Sequence, residues 1–173
     1  GSYSRRSITL AAPTSGETHN TNTITFASLP AVTVTHAAIY SATSGGTMLW
    51  HGALPSSKTV PAGQSFVVNP EDLVLGFTTT SSATVYLRNK IINTLLRGQS
   101  YSPTTVYQAL FSTATDPSGA GTEATGGSYS RQEVTFVAPT NGVTSNSVEV
   151  YFDYMPAGNI TSGAIFDDFA EGN

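Results

Sequence analysis

The chain has 173 residues, 39% of them hydrophobic, which is enough to bury a core in one or two domains. Only 10% are charged, against the usual quarter, and the net charge is −4 with seven Lys and Arg scattered in ones and twos, so the clustered cationic face that nucleic acid requires is missing. There is no cysteine for a disulfide or thiolate metal site, and no apolar run of about 18 residues for a membrane span.

In chain order, Ser7–Ala11 alternates as a strand and ends in the turn signal Pro13-Thr14-Ser15-Gly16. Asn22–Phe26 alternates again, and Val32–Tyr40 is a longer strand. Ser44-Gly45-Gly46 makes a hairpin turn into Thr47–Ala53, which holds the single tryptophan, Trp50, expected in the core. Ser65–Val68 and Leu73–Phe77 follow, set apart by Pro61-Ala62-Gly63 and Asn69-Pro70. The Ser/Thr stretch Thr78–Thr84 lacks apolar anchors and reads as a linker. Tyr86–Arg97 is the one helix candidate: Leu87, Ile91 and Leu95 recur every four residues and Gly98 stands at the left-handed stop. Val106–Phe111 is the next strand, and Asp116–Gly121 is a long turn.

The last stretch repeats the first. Gly127–Asn173 aligns without a gap on Gly1–Thr47 at an offset of 126, with 19 of 47 positions identical, among them Gly-Ser-Tyr-Ser-Arg, Pro13/Pro139, Gly16/Gly142, Asn20/Asn146 and Phe26/Phe152. Such a period is too long for a solenoid and suits tandem small domains. The expected units are 1–78, lacking a leading helix and strand; a linker at 79–85; and 86–173, lacking closing strands. Pooling the pieces, a whole unit holds one short helix and about seven strands, the content of an all-β antiparallel sandwich of jelly-roll or immunoglobulin-like type. Because the chain opens on Gly rather than Met, it is expected to be a processed product or a piece of something longer.

Leu95–Phe111, read as L-L-R-G-x-x-Y-x-x-x-T-V-Y-x-A-L-F, and Asp116–Arg131, read as D-P-x-x-A-G-T-E-x-x-G-G-S-Y-x-R, resemble small tailed-phage virion proteins labelled tail-fibre-like. Lys58–Phe66, K-T-V-x-A-G-x-x-F, is similar to that family's closing segment. The resemblance implies a virion structural protein: a tail appendage, capsid decoration or host-contacting fibre. It departs in architecture, since the family looks like one unit per chain and here two overlap.

Residue chemistry gives little foothold for catalysis. His19 and His36 meet Ser145 and Ser162 in the second copy, so no site shared by both copies depends on them, and His51 sits beside Trp50 in a strand where packing is the simpler reading. Glu71-Asp72 and Asp167-Asp168 are neighbours, and strand neighbours point to opposite faces instead of flanking one glycosidic bond. Asp116–Glu123 is acidic and Gly-rich but lacks the alternating ligands of a calcium loop. No catalytic residue, cofactor or metal ligand is therefore expected, and the protein reads as no enzyme. Acidic residues crowd the end, at Glu149, Asp153, Asp167, Asp168 and Glu171, with no Lys or Arg among them, which opposes docking on anionic membranes.

Two partner classes follow: other virion chains and copies of the same chain, or a host-surface glycan bound by exposed aromatics such as Tyr101, Tyr154 or Phe169. Tyr3, Arg5, Tyr129 and Arg131, kept in both copies, are candidate interface anchors; the competing reading is that each Tyr packs at a rim and each Arg ties down a loop. Neither nucleic acid nor membrane insertion is expected. The uneven content of the two units leaves strand edges unpaired, to be completed by flanking sequence or by head-to-tail strand exchange between chains.

Overall fold

The computed structural model describes residues 3–77 and 83–169. The expected linker falls largely at 78–82, and Glu171 at the end; both lie outside the described residues. Nine strands and one helix follow in the order β1 (Glu17–His19), β2 (Ile24–Phe26), β3 (Val32–Tyr40), β4 (Met48–Val60), β5 (Phe66–Val68), β6 (Val74–Gly76), α1 (Val85–Arg97), β7 (Val106–Phe111), β8 (Gln132–Val134) and β9 (Ser162–Phe166). Every pairing is antiparallel: β1 with β6, β2 with β5, β3 with β4, and a three-stranded sheet in the order β8-β7-β9.

Two elements differ from the sequence expectation. Ser7–Ala11 forms a single bridge, Leu10 to Asn20, in place of a strand. β4 runs on past Ala53 to Val60, because Leu54–Ser57 bulge out between the paired residues Ala53 and Lys58. The bulge is where Pro55 can be tolerated, since its missing N–H is not needed in the ladder. The long β3–β4 ribbon is mostly exposed, and Trp50 on it is half-buried with its ring edge-on to Phe77 at 5.1 Å, not sealed in a core.

The helix starts and stops where its caps dictate. Thr84 accepts from Leu87 N–H at 3.2 Å, and Gly98 takes φ 66°, a conformation open to glycine at little cost. Ile92 is its buried anchor at 1% exposure. In sequence α1 leads into the second copy, yet it bonds to both. Asn89 Oδ1 accepts from Gly16 N–H (2.8 Å), Arg97 Nε donates to Leu10 O (3.2 Å), and the buried Arg88 donates to Phe77 O (3.4 Å). On the other side Tyr86 donates to Asp167 (2.7 Å) and Val85 N–H to Pro117 O (2.8 Å).

Core residues are Leu10, Ile24, Leu29, Val60 and Leu75 in the first copy, and Ala109, Phe111, Ala124 and Val134 in the second. The two cores are closed by different segments, and this difference positions the candidate site.

Candidate functional site

The repeat is structural as well as textual. Thr14 and Glu17 exchange backbone hydrogen bonds at 2.9 and 3.0 Å, as Thr140 and Val143 do at 2.9 and 3.1 Å. Ser15 and Gly16 at the turn have φ 55° and 82°; Asn141 and Gly142 have φ 52° and 76°. Ala11 N–H donates to His19 O and Val137 N–H to Ser145 O; Thr18 Oγ1 donates to Ala11 O and Thr144 Oγ1 to Val137 O. Even the ring contacts recur: Tyr3 stacks on Phe26 at 5.8 Å and Tyr129 on Phe152 at 6.0 Å, while the guanidinium of Arg5 lies 3.5 Å from the Tyr40 ring centre and that of Arg131 3.9 Å from Phe166. The structure thus places Tyr3, Arg5, Tyr129 and Arg131 against their own copies.

On this common frame the two copies are covered differently. In the first, β5 and β6 close the hairpin and Asn20 is the clasp. Fully buried, it donates through Nδ2 to Asn69 O (2.7 Å) and Asn22 O (2.8 Å) and accepts from Leu73 N–H (2.9 Å). In the second, Asn146 keeps only the bond to Val148 O (2.8 Å), and no strand pairs with the equivalents of β1 and β2 among the described residues. Val143 and Tyr151 are accordingly exposed by 71% and 67%, although Val134 is buried under β7.

The reverse holds at the other edge. In the second copy β7 lies between β8 and β9, and the segment after it supplies Glu123, whose carboxylate takes Arg131 Nη2 at 2.8 Å and Nε at 3.0 Å. Tyr129 OH donates to Glu123 (3.0 Å) and accepts from Leu110 N–H (2.9 Å). In the first copy the matching segments, 6–8 and 36–40, have no strand paired between them among the described residues and instead line an apolar groove of about 820 Å³ with Ile24, Phe26, Val34 and Leu95. There Arg5 donates to Ala42 O at 2.9 Å and to Gly45 O.

Other sequence candidates are scattered. His19 lies on β1, His51 is exposed on β4, and His36 at the groove contacts Thr35 Oγ1 at 2.9 Å. Asp72 caps the Asn69 turn at 3.1 Å, and Glu71 takes φ 71° in it. Asp116 accepts from Ser118 N–H, Ser118 Oγ and Ala120 N–H, which holds its exposed carboxyl below the usual range and closes the turn. Among the described residues no group of three or more His, Asp or Glu converges for a metal. Of the three aromatics proposed for glycan contact, Tyr101 donates to Asp167 (2.8 Å) beside Tyr86, Phe169 is edge-on to Tyr107 (5.5 Å), and Tyr154 stands 84% exposed; they belong to separate clusters.

These carboxylates predict a direction for pH dependence. Hydrogen bonds from Arg131, and then Tyr129, hold Glu123 below its ordinary pKa; Tyr86 and Tyr101 do the same for Asp167, while burial and then Asp167 push the Tyr101 hydroxyl upward. A carboxyl whose folded pKa is depressed stabilises the fold above its unfolded pKa, and that contribution is lost as pH falls through the folded value. Urea unfolding is expected to show stability level from neutral pH to about 5 and falling below about 4; an unchanged profile at pH 3 would contradict the assignment.

Residues 1–76 and 82–173 match a protein-family model described as podophage GP4 fiber I protein gp80. No curated protein and no solved structure gives a significant match.

Proposed function

We propose a role that proceeds from one fact: the chain belongs to the podophage GP4 fiber I protein gp80 family and is a component of the phage virion. Its work is structural and non-enzymatic. It builds a fibre-type appendage by bonding to other virion chains through strand edges that it leaves open.

The carrying observation is the internal comparison of the copies. The first has its closing strands and an open groove where β7 would lie; the second has β7 and an open edge where β5 and β6 would lie. Two copies with the same hairpin show what covers each face when it is covered. Unpaired backbone edges and exposed apolar side chains are the usual means by which one chain takes a strand from another. The separation of Tyr101, Tyr154 and Phe169 supports assembly over the alternative of a glycan receptor, which needs rings converging on one site.

Co-sedimentation of the purified chain with purified virion fibre proteins tests this reading. Association is expected to persist from low to about molar salt, because few ion pairs contribute to these faces. Binding to one glycan class on an array, with no association to virion proteins at any salt, would replace assembly by receptor recognition.

A further inference from the structure

We propose that the groove of the first copy is an acceptor for a single β-strand from a neighbouring virion chain, and that the strand it takes has the chemistry of Val106–Phe111 followed by a carboxylate. This rests on the assembly reading above and deepens it by naming the occupant.

The second copy supplies the template. There β7 pairs Val106 with Val134 and Gln108 with Gln132 on one side, and Tyr107 with Phe166, Ala109 with Ala164 and Phe111 with Ser162 on the other. Carried back by 126 positions, the guest strand lies with its Val beside Ile8, its Gln beside Arg6, its Tyr beside Tyr40, its Ala beside Ala38 and its Phe beside His36. All five of these hosts line the groove.

The backbone edges agree. In β7 the even-numbered peptide groups turn toward residues 122–124, as the bonds from Ser112 N–H to Thr122 O and from Ala124 N–H to Leu110 O show, so the odd-numbered ones face 162, 164 and 166 of β9. The corresponding residues of β3 are 36, 38 and 40. Ser41 N–H donates to Thr47 O, so β3 turns its odd-numbered groups to β4 and its even-numbered groups to the groove. The edge that β7 uses in one copy is the edge left open in the other.

Side-chain chemistry adds selectivity. The guest meets apolar walls at Ile8, Ile24, Phe26 and Leu95, and at the end of the groove it meets Arg5 on Tyr40, the counterpart of Arg131 on Phe166. Arg131 is held by Glu123, so a guest carrying a carboxylate at the same distance after its strand would draw Arg5 from its carbonyl partners into a charge-assisted pair. The source is a different chain rather than a second copy of this one. Each copy of this chain holds one such strand, already seated in its own second half, and exchange between copies would fill one groove by emptying another.

The test uses the full chain and a synthetic peptide of residues Thr104–Ala124. Saturable binding of one peptide per chain is expected, with slowed amide exchange at His36, Ala38 and Tyr40. An Ala109→Pro peptide, lacking the N–H that faces Ala38 and leaving the host chain untouched, is expected to bind at least about tenfold more weakly. A Glu123→Gln peptide is expected to lose several-fold in affinity on the native chain and nothing further on the Arg5→Ala chain. No saturable binding, equal binding of the Ala109→Pro peptide, or new protection at residues 143–152 instead of 36–40 would overturn the proposal. Because peptide and purified chain are the only components, such a result leaves the co-sedimentation outcome to decide assembly by itself.

Discussion

Replacing Asn20 with Ala is expected to lower the unfolding free energy by about 3 kcal/mol, while the same change at Asn146 costs under about 0.5 kcal/mol. Both residues occupy the same place in the same hairpin. Asn20 is fully buried and its amide is the point where β5 and β6 are fastened to β1 and β2; its loss removes the bonds to Asn69 O, Asn22 O and Leu73 N–H together, each worth about 1 kcal/mol. Asn146 is exposed and bonds only to Val148 O, so water replaces what alanine removes. Urea unfolding followed by circular dichroism measures both changes, and Trp50 fluorescence reports the first copy separately through its contact with Phe77. Equal losses at the two positions would mean that the second hairpin is covered in the folded chain as the first one is.

Glu123→Ala is the second large effect, at about 3 kcal/mol. The side chain of Arg131 is 6% exposed, packs on Phe166 and donates two hydrogen bonds to its partner carboxylate; removing the carboxylate leaves a buried cation whose bond to Asp168 O at 3.1 Å does not replace the lost charge. Tyr129 loses its acceptor at the same time. The double change Glu123→Leu with Arg131→Met is expected to recover more than half of the loss, because desolvation of the pair offsets much of its mutual attraction. Arg5→Ala, at the equivalent and more open position, is expected to cost under about 1 kcal/mol. Urea midpoints of the four proteins decide the matter, and a double variant as unstable as Glu123→Ala would show that packing on Phe166, not charge, is what Arg131 contributes.

These predictions also separate two readings of the repeated Tyr and Arg. Both residues contact aromatic rings of their own copies, and in the second copy the segment after β7 completes their bonding, whereas Tyr3 in the first stays 66% exposed. In the first copy the same side chains border an open groove. A role in contacting another chain therefore concerns Tyr3 and Arg5 more than Tyr129 and Arg131.

Most local elements, and the kinship of the two copies, could be read directly from the residues. Alternation in Val32–Tyr40 and Val106–Phe111, the four-residue recurrence before Gly98, and the gapless match of 127–173 to 1–47 each reflect short-range rules: strand and helix periodicity, capping, and turns that need a left-handed residue at Gly16 and Gly142. The phage-fibre kinship came from the resemblance of Leu95–Phe111 and Asp116–Arg131 to that family's motifs, and the family match agrees with it. Which strand covers which copy is settled by the fold. Pairing partners 49 to 53 residues apart, such as Asn20 with Asn69 and Leu73, are selected by long-range packing and leave no local periodicity to read. The bulge that carries Pro55 through β4 was hidden because proline normally ends a strand, and only the pairing of Lys58 with Val34 shows that this one resumes. The helix was legible, but neither its buried face nor its bonding to both copies was: of the recurring Leu87, Ile91 and Leu95, the first and last stand 41% and 62% exposed while Arg88 and Ile92 are buried, and only the fold supplies the neighbours, here Gly16 and Leu10 on one side and Asp167 on the other.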